Sequence, residues 1–126
     1  IYDVDMDIYA PCALGSTVNS NTISRMNCCI IAGAANNQLE DEFIHGQELM
    51  DKGIIYAPDY IINAVGVMNC YAEVHQITTE EVMKMAENIY HTTLDVINTS
   101  QKENTPTFLV ANRKAEERLS KINSNK

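Results

Sequence analysis

Basic side chains are scarce in this sequence. Nine lysines and arginines stand against seventeen aspartates and glutamates, so the formal net charge is −8 at pH 7. A nucleic-acid-binding face needs clustered Lys and Arg side chains to neutralise phosphates, and the lysines here are scattered. We therefore exclude nucleic acid as a partner.

Long apolar runs are also missing. No run approaches the roughly 18 residues that span a bilayer, and no basic, apolar and small-residue signal stands at the start. We therefore expect a cytoplasmic protein with no membrane partner. The sequence starts at Ile1 rather than Met, with few residues before the first apolar run, which suggests a segment of a longer protein.

Metal-binding and disulfide patterns are absent as well. The cysteines show no CxxC spacing, and two adjacent ones cannot readily bridge each other; they are Cys12, Cys28, Cys29 and Cys70. None of the histidines falls in an HExxH pattern, and we expect all of them on solvated helix surfaces: His45, His75 and His91. We predict reduced thiols and no metal site.

What the sequence does contain is three apolar runs that stop at small, Pro and amide residues. They are DIYAPCALG at 7–15, CCIIAGAANNQL at 28–39 and IIYAPDYIINAVGVMN at 54–69. Continuous apolar runs are typical of parallel strands covered by helices on both faces, so we predict strands over 7–11, 28–33 and 54–57. Ligands of open α/β sheets bind at the carboxyl ends of the strands, which are 12–15, 33–37 and 57–59.

Helical patterns separate and follow these runs. We predict a short helix at 22–27, a helix over 40–52 that ends at Gly53, and one over 59–75 after Pro58. Thr78 and Glu81 form a capping-box pattern for a helix over 78–102, whose buried face carries Val82, Met85, Ile89, Val96 and Ile97. Thr105 and Pro106 start a last helix, predicted to bury Phe108, Ala115, Leu119 and Ile122.

The predicted order is therefore β-α-β-α-β followed by three helices. We interpret it as α/β, the second half of a Rossmann-type doubly wound parallel sheet of about three strands with C-terminal helices. Residues 1–77 would form half of a dinucleotide-binding domain, and residues 78–126 would pack on the sheet or on a further N-terminal domain. No GxGxxG motif occurs, so a pyrophosphate site would lie outside this chain.

Together the motifs DIYAPCALG, AGAANNQL and GIIYAPDYIINAVGVMN resemble the C-terminal part of the dehydrogenase family that oxidises glutamate, leucine, phenylalanine or valine. The similarity is strongest to its leucine dehydrogenases, and it continues through IYHTTLDVI and TPTFLVANRKAEERLS. The resemblance implies NAD as cofactor, an amino acid or 2-oxo acid as substrate, and a homo-oligomer. The expected reaction is the reversible oxidative deamination of leucine and other branched-chain amino acids.

The same resemblance assigns roles to residues. Those expected beside the nicotinamide riboside are Cys12, Ala13, Leu14, Ala35, Asn36, Asn37 and Asn63, and one of the two adjacent asparagines would reach the ribose or the substrate amino group. Val67 and Cys70, one helical turn apart, would contact the substrate side chain. The family's catalytic Lys and Asp belong to its N-terminal domain, so no catalytic residue is assigned here and the chain alone is expected to be inactive.

One departure and several alternatives accompany this interpretation. The family usually has two glycines after Asn-Ala, whereas this chain has Val65 and Gly66, and a β-branched side chain there would push the helix or the nicotinamide away. Loop capping would equally explain Asn36 or Asn37, a helix-start role Asn63, and a core thiol Cys70. At the level of function, the alternatives are a phenylalanine or valine dehydrogenase, or a non-catalytic nucleotide-binding or assembly module.

Overall fold

A computed structural model describes residues 1–124. Its three parallel strands are β1 (Ile8–Tyr9), β2 (Ile30–Ile31) and β3 (Ile55–Tyr56), which lie in the order β1-β2-β3. Ile8 pairs with Ile30, and Ile30 with Ile55. This confirms the predicted α/β class with a small parallel sheet followed by helices.

The strands are shorter than predicted, at two residues each. Regular pairing of β1 with β2 stops near Pro11, which has no N–H to donate. Beyond it the Ala35 N–H donates to the Pro11 carbonyl at 2.9 Å. Only one face of the sheet is fully buried: Tyr9, Ile31 and Tyr56 are covered, whereas Ile8 is 56% exposed.

Three of the helices begin or end where local capping interactions place them. Helix α1 (Ser20–Arg25) starts at Asn19, whose side chain forms a capping box with Thr22, earlier than predicted. Helix α2 (Glu42–Asp51) has Asp41 as its N-cap and ends before Gly53, whose φ of 75° confirms the left-handed position. The predicted capping box of Thr78 and Glu81 is confirmed at the start of α5 (Thr79–Glu103).

Helix α6 (Thr107–Ser124) starts later than predicted. The Pro106 carbonyl accepts from the N–H of Leu109 at 3.1 Å, so Pro106 sits just before the helix rather than in its first turn. The Thr105 hydroxyl donates to the Glu103 carbonyl instead of capping α6. Thr side chains can form such local hydrogen bonds to nearby backbone groups, and here this bond takes the place of a helix cap.

The helix predicted over 59–75 is divided in two. Helix α3 (Asp59–Ile62) and helix α4 (Val65–His75) are separated at Asn63 and Ala64. Asn63 has φ −100° and ψ 11°, in the sparsely occupied bridge region where active-site residues are often found. Val65 is accommodated as the first residue of α4.

The core lies between the sheet and helices α1 and α2. Its buried apolar side chains are Tyr9, Val18, Ile23, Met26, Ile31, Leu39, Leu49, Ile54 and Tyr56. A smaller cluster joins α5 and α6 through Val96, Val110 and Ala111. Val82 and Val96 are buried on α5 as predicted, and Phe108 on α6.

Two predictions about exposure are wrong. On α6, Ala115 is exposed, and Leu119 and Ile122 are 61% and 52% exposed, because the described chain packs only the first turns of that helix. His45, expected in solvent, is buried. Its Nδ1 accepts the Asp41 N–H at 2.9 Å, so the ring closes the first turn of α2.

Candidate functional site

The segments that follow the three strands meet at one edge of the sheet. The Ser16 N–H donates to the Asn37 carbonyl at 2.7 Å, which joins the segments after β1 and β2. Their approach is so close that a Cβ on Gly15 would lie 2.8 Å from the Asn36 carbonyl oxygen. The predicted convergence of 12–15, 33–37 and 57–59 is therefore observed.

A pair of side-chain amides forms the centre of this edge. Asn63 Nδ2 donates to Asn36 Oδ1 at 2.6 Å and lies 3.5 Å from the Ala34 carbonyl oxygen. The hydrogen bond between Asn63 and Asn36 connects the junction of α3 and α4 with the segment after β2. It leaves Asn36 Nδ2 and Asn63 Oδ1 without a protein partner in residues 1–124.

Asn37 is held through its backbone. Its φ is 51°, a left-handed conformation that Asn tolerates better than most residues. Its N–H donates to Asp59 Oδ2 at 2.9 Å, and its carbonyl accepts from Ser16. The adjacent Gln38 is fully buried and fixes the same turn, since its Nε2 donates to the carbonyls of Gly33 and Ala35 at 2.6 and 2.9 Å.

Asp59 is a buried carboxylate directly after β3, only 6% exposed. Its second oxygen, Oδ1, accepts the Tyr56 hydroxyl at 2.9 Å. Burial, followed by the negative charge of Asp59, raises the pKa of Tyr56, which keeps that hydroxyl protonated and able to donate. Both carboxylate oxygens are thus satisfied by uncharged donors, as a buried carboxylate requires.

A cleft of about 520 Å³ opens over these groups. Its lining residues come from the segment after β2, from α2, and from α3 and α4: Asn36, Asn37, Glu42, Asp59, Tyr60, Asn63, Ala64, Gly66 and Val67. Desolvation, followed by repulsion from Asp59 and Asp41, raises the pKa of Glu42. Desolvation, followed by Glu42 and Asp59, also raises the pKa of Tyr60. The cleft is thus lined by two acidic side chains, Glu42 and Asp59, and by no basic one.

The structure places the other candidate residues around this cleft, not all within it. Cys12, Ala13 and Leu14 are exposed on the segment after β1, with Leu14 75% exposed and Cys12 Sγ accepting the Ala34 N–H at 3.5 Å. Ala35 is buried beneath the turn. Val67 is 69% exposed and lines the cleft, whereas Cys70 is exposed on α4 outside its lining.

A second cavity, of about 280 Å³, lies between α2 and the junction of α5 and α6. Its lining includes Ile55 and Tyr56 of β3, but it contains no charged side chain and none of the candidate site residues. We therefore place the candidate site at the cleft. Among residues 1–124, no three His, Cys, Asp or Glu side chains are grouped as metal ligands, and none of the helices is both long and apolar enough to cross a membrane.

Several residues of this site were not predicted: Glu42, Asp59 and Tyr60 line the cleft, and Gln38 supports the turn beside it. Asp59 offered a signal, because a carboxylate follows the strand directly and precedes a helix, but it was placed only at the strand end and given no role. Gln38 offered none, since a glutamine near a turn is normally solvated. Only the packed turn makes it a buried donor.

Fold and site together define an α/β arrangement in which polar side chains gather at the carboxyl ends of parallel strands, the place where ligands of open α/β sheets bind. The model of the glutamate/leucine/phenylalanine/valine dehydrogenase family matches residues 1–126. The chain belongs to this family. Its match over the full sequence confirms the resemblance carried by the three motifs.

Individual relatives agree with this assignment. The chain is 50% identical over 119 residues to a leucine dehydrogenase of Thermoactinomyces intermedius, covering 94% of this chain and 32% of the relative. It is 40% identical over 119 residues to a phenylalanine dehydrogenase of Bacillus thermotolerans, covering 94% and 31%. The crystal structure of L-tryptophan dehydrogenase from Nostoc punctiforme superposes with a TM-score of 0.91 at 47% identity, covering 96% and 37%. The chain thus spans about a third of the length of these relatives.

Proposed function

We propose that this chain is the nicotinamide-side portion of an NAD-dependent amino-acid dehydrogenase. The reaction converts an amino acid, NAD⁺ and water to a 2-oxo acid, ammonium, NADH and a proton. Residues 1–77 supply half of the dinucleotide-binding domain, and residues 78–126, of which 125 and 126 lie outside the described residues, supply helices that pack against it.

The amide pair of Asn36 and Asn63 carries the proposal. Their mutual hydrogen bond leaves the Asn36 NH2 group and the Asn63 carbonyl oxygen without a protein partner in residues 1–124. A primary carboxamide presents the complementary acceptor and donor. The donor set therefore fits the carboxamide of nicotinamide, and bound NAD would supply the hydride acceptor.

The remaining parts of a dehydrogenase site are not found among the cleft's lining residues. That lining contains no basic side chain that could bind a pyrophosphate. Under the proposal, the phosphate-binding loop and the catalytic Lys and Asp belong to the other part of the protein. The residues of this chain bind and orient the ring, and Cys12, Ala13, Leu14 and Ala35 pack alongside.

For the substrate we propose leucine and other branched-chain amino acids. Val67 lines the cleft, and Cys70 follows one turn later on α4; both are small and largely apolar, which suits an aliphatic side chain. A phenylalanine or tryptophan dehydrogenase is the second candidate, because relatives with those names are 40% and 48% identical to this chain. A valine dehydrogenase differs from the first candidate only in pocket size.

Two wider properties complete the proposal. The four cysteines are all unpaired thiols, which suits the reducing cytoplasm. Helix α4 and helix α5 expose large apolar side chains, among them Val74 at 78% and Tyr90 at 66%. Such side chains favour burial in a larger assembly, and we take that assembly to be a homo-oligomer.

The direct test is an assay of the full-length protein that contains these residues. Purified protein is mixed with NAD⁺ and, in turn, leucine, valine, isoleucine, phenylalanine or tryptophan, and NADH is followed by absorbance. We expect turnover with the highest kcat/KM for leucine and none by the isolated 126-residue chain. No turnover with any amino acid would refute the enzyme, and preference for an aromatic amino acid would favour the second candidate.

The substrate pocket is tested separately with Val67→Phe and Cys70→Leu. Side-chain size in an apolar pocket alters discrimination by about 1–3 kcal/mol per methylene. We expect both variants to penalise leucine relative to 2-aminobutyrate, and Val67→Phe more strongly because Val67 lines the cleft. Equal losses for all substrates would mean that these positions only support the fold.

A further inference from the structure

Asp59 connects the site to the sheet beneath it. One carboxylate oxygen accepts the Asn37 N–H at 2.9 Å and the other accepts the Tyr56 hydroxyl at 2.9 Å. The Asp59 N–H in turn points to the Tyr56 oxygen at 3.3 Å. Asp59 is 6% exposed and both of its carboxylate oxygens accept hydrogen bonds. Its side chain is therefore held in one orientation.

The bond to Asn37 fixes a backbone conformation that is uncommon for residues with a side chain. Asn37 has a left-handed φ of 51°, which Asn tolerates better than most residues. Asp59 holds its N–H and Ser16 holds its carbonyl. The turn is therefore tied to the segments after both neighbouring strands.

Asn36, the residue before this turn, contributes its side chain to the site. Its Oδ1 accepts from Asn63 at 2.6 Å, and the position of Asn36 depends on the conformation of the peptide that joins it to Asn37. Asn63 belongs to the same segment as Asp59, four residues further along. One carboxylate thus sets the relative position of both members of the amide pair.

We infer that Asp59 is a positioning residue, which keeps the Asn36 and Asn63 amides aligned for a nicotinamide carboxamide by fixing the Asn37 backbone. This role rests on the proposed function. It assigns Asn36 a side-chain role and Asn37 a backbone role. Tyr56 acts behind Asp59 as a donor that directs the carboxylate.

The test uses the full-length protein with Asp59→Ala, Asp59→Asn and Tyr56→Phe. The matched control is Asp51→Ala, which removes an exposed carboxylate of α2 that bonds only Gln47 within the described chain. Four quantities are measured: kcat, KM for NAD⁺, the Kd of NADH by fluorescence, and hydrogen exchange of the 33–39 peptide without cofactor. Circular dichroism and thermal melting establish that each variant is folded.

We expect Asp59→Ala to lower kcat about 100-fold, as a misplaced reacting group does, and to speed exchange of the 33–39 peptide at least tenfold. Asp59→Asn should recover most of the activity, because its carbonyl can accept from Asn37 while its amide donates to Tyr56. Tyr56→Phe should fall between these variants. Asp51→Ala should match the wild type in all four measurements.

The outcomes separate this inference from the function on which it rests. A wild-type protein that neither turns over amino acids nor binds NADH refutes the proposed function. An active wild type whose Asp59→Ala variant keeps its kcat, KM and loop exchange refutes the positioning role. If Asp59→Ala does not fold, Asp59→Ser replaces it, since a hydroxyl is too short to reach both partners and the same losses are expected.

Discussion

The sheet region and the helical region of this protein are built in opposite ways. The three strands contain two residues each, yet nine apolar side chains are buried around them. Helices α5 and α6 contain 25 and 18 residues, yet their shared cluster consists of Val96, Val110 and Ala111, with Ile61 against it. Many of their other apolar side chains are exposed.

This contrast shows that long helices or strands do not by themselves indicate where most apolar side chains are buried. Helix α5 is marked by a local signal, the capping box of Thr78 and Glu81, and much of the apolar surface of α5 and α6 remains exposed. The sheet region depends on close approach between chain segments distant in sequence. The candidate site lies in that region, where hydrogen bonds such as Asn37 to Asp59 connect segments 22 residues apart.

The most severe way to break the sheet region is Gly33→Ala. A Cβ at this position would lie 2.1 Å from the Pro11 carbonyl oxygen and 2.5 Å from the Pro11 nitrogen. Backbone atoms cannot rotate away as a side chain can, so we expect a loss of about 3 kcal/mol or more. Urea denaturation of the full-length protein should show it, with faster hydrogen exchange in 28–39 than in 107–124.

Gly66→Ala is the matched control for that substitution. Gly66 lies in α4, and no atom stands within 4 Å of a Cβ there. The change should stabilise the ligand-free protein by about 0.5 kcal/mol, because alanine has less chain entropy to lose. Similar losses for both variants would show that glycine flexibility, rather than close approach, matters at these sites.

The contact between the two regions is tested by Gly46→Ala. A Cβ on Gly46 of α2 would lie 2.7 Å from the ring of Phe108, which is 1% exposed and packs edge to face against Phe43 at 5.2 Å. The confined ring cannot move freely, so we expect a loss of about 1–3 kcal/mol. Adding Phe108→Leu should cost less in this variant than in the wild type, and strict additivity in the double-mutant cycle would contradict the contact.

Within the helical region, Val110→Ala and Leu119→Ala separate burial from residue type. Val110 is 0% exposed and Leu119 is 61% exposed. We expect a loss of about 1–3 kcal/mol for the buried valine and less than about 0.5 kcal/mol for the leucine, although leucine loses more atoms. A large loss at Leu119 in the full-length protein would show that another part of the protein covers this face.

The smallest effect is expected from Glu42→Gln, and it depends on pH. Desolvation, with Asp59 and Asp41 nearby, raises the pKa of Glu42 above its usual 4.5, so folding penalises the charged form relative to the unfolded chain. The penalty of the charged form is fully present above the raised pKa and disappears below the unfolded value. Glu42→Gln should therefore raise the melting temperature at pH 7 and have no effect near pH 4. A gain that stays constant with pH would contradict this assignment.

Whether a feature could be predicted from the sequence depended on how far apart in the sequence the interacting residues lie. The Thr78 and Glu81 cap and the left-handed Gly53 were predicted correctly, because each involves a few consecutive residues. The edge at which the loops meet was also predicted, since the carboxyl ends of parallel strands share one side of a sheet. The burial of His45 and the exposure of Leu119 were not, because packing partners from other elements decide them.

The candidate site shows the same difference between what sequence patterns predict and what contacts between distant segments decide. The family resemblance selected Asn36, Asn37 and Asn63, but it left open which of the two adjacent asparagines reaches the ligand. The proposed difference in their roles rests on the bond between Asn36 and Asn63 and on the left-handed backbone of Asn37. The resemblance also placed Val67 and Cys70 together, yet of these two only Val67 lines the cleft.

By itself, the sequence determined the parallel α/β order, the capping box of α5 and the family, because apolar periodicity, capping residues and extended motifs are local properties. Tertiary structure alone decided that Asp59 is buried, that Gln38 becomes a buried donor and that the helix after β3 is interrupted at Asn63. The partners of Gln38 are the nearby carbonyls of Gly33 and Ala35, but its burial depends on the packing of the turn. Asp59 instead accepts from Asn37, 22 residues away. Buried polar groups need hydrogen-bond partners, and this long-range partner is in place only once the strands have assembled.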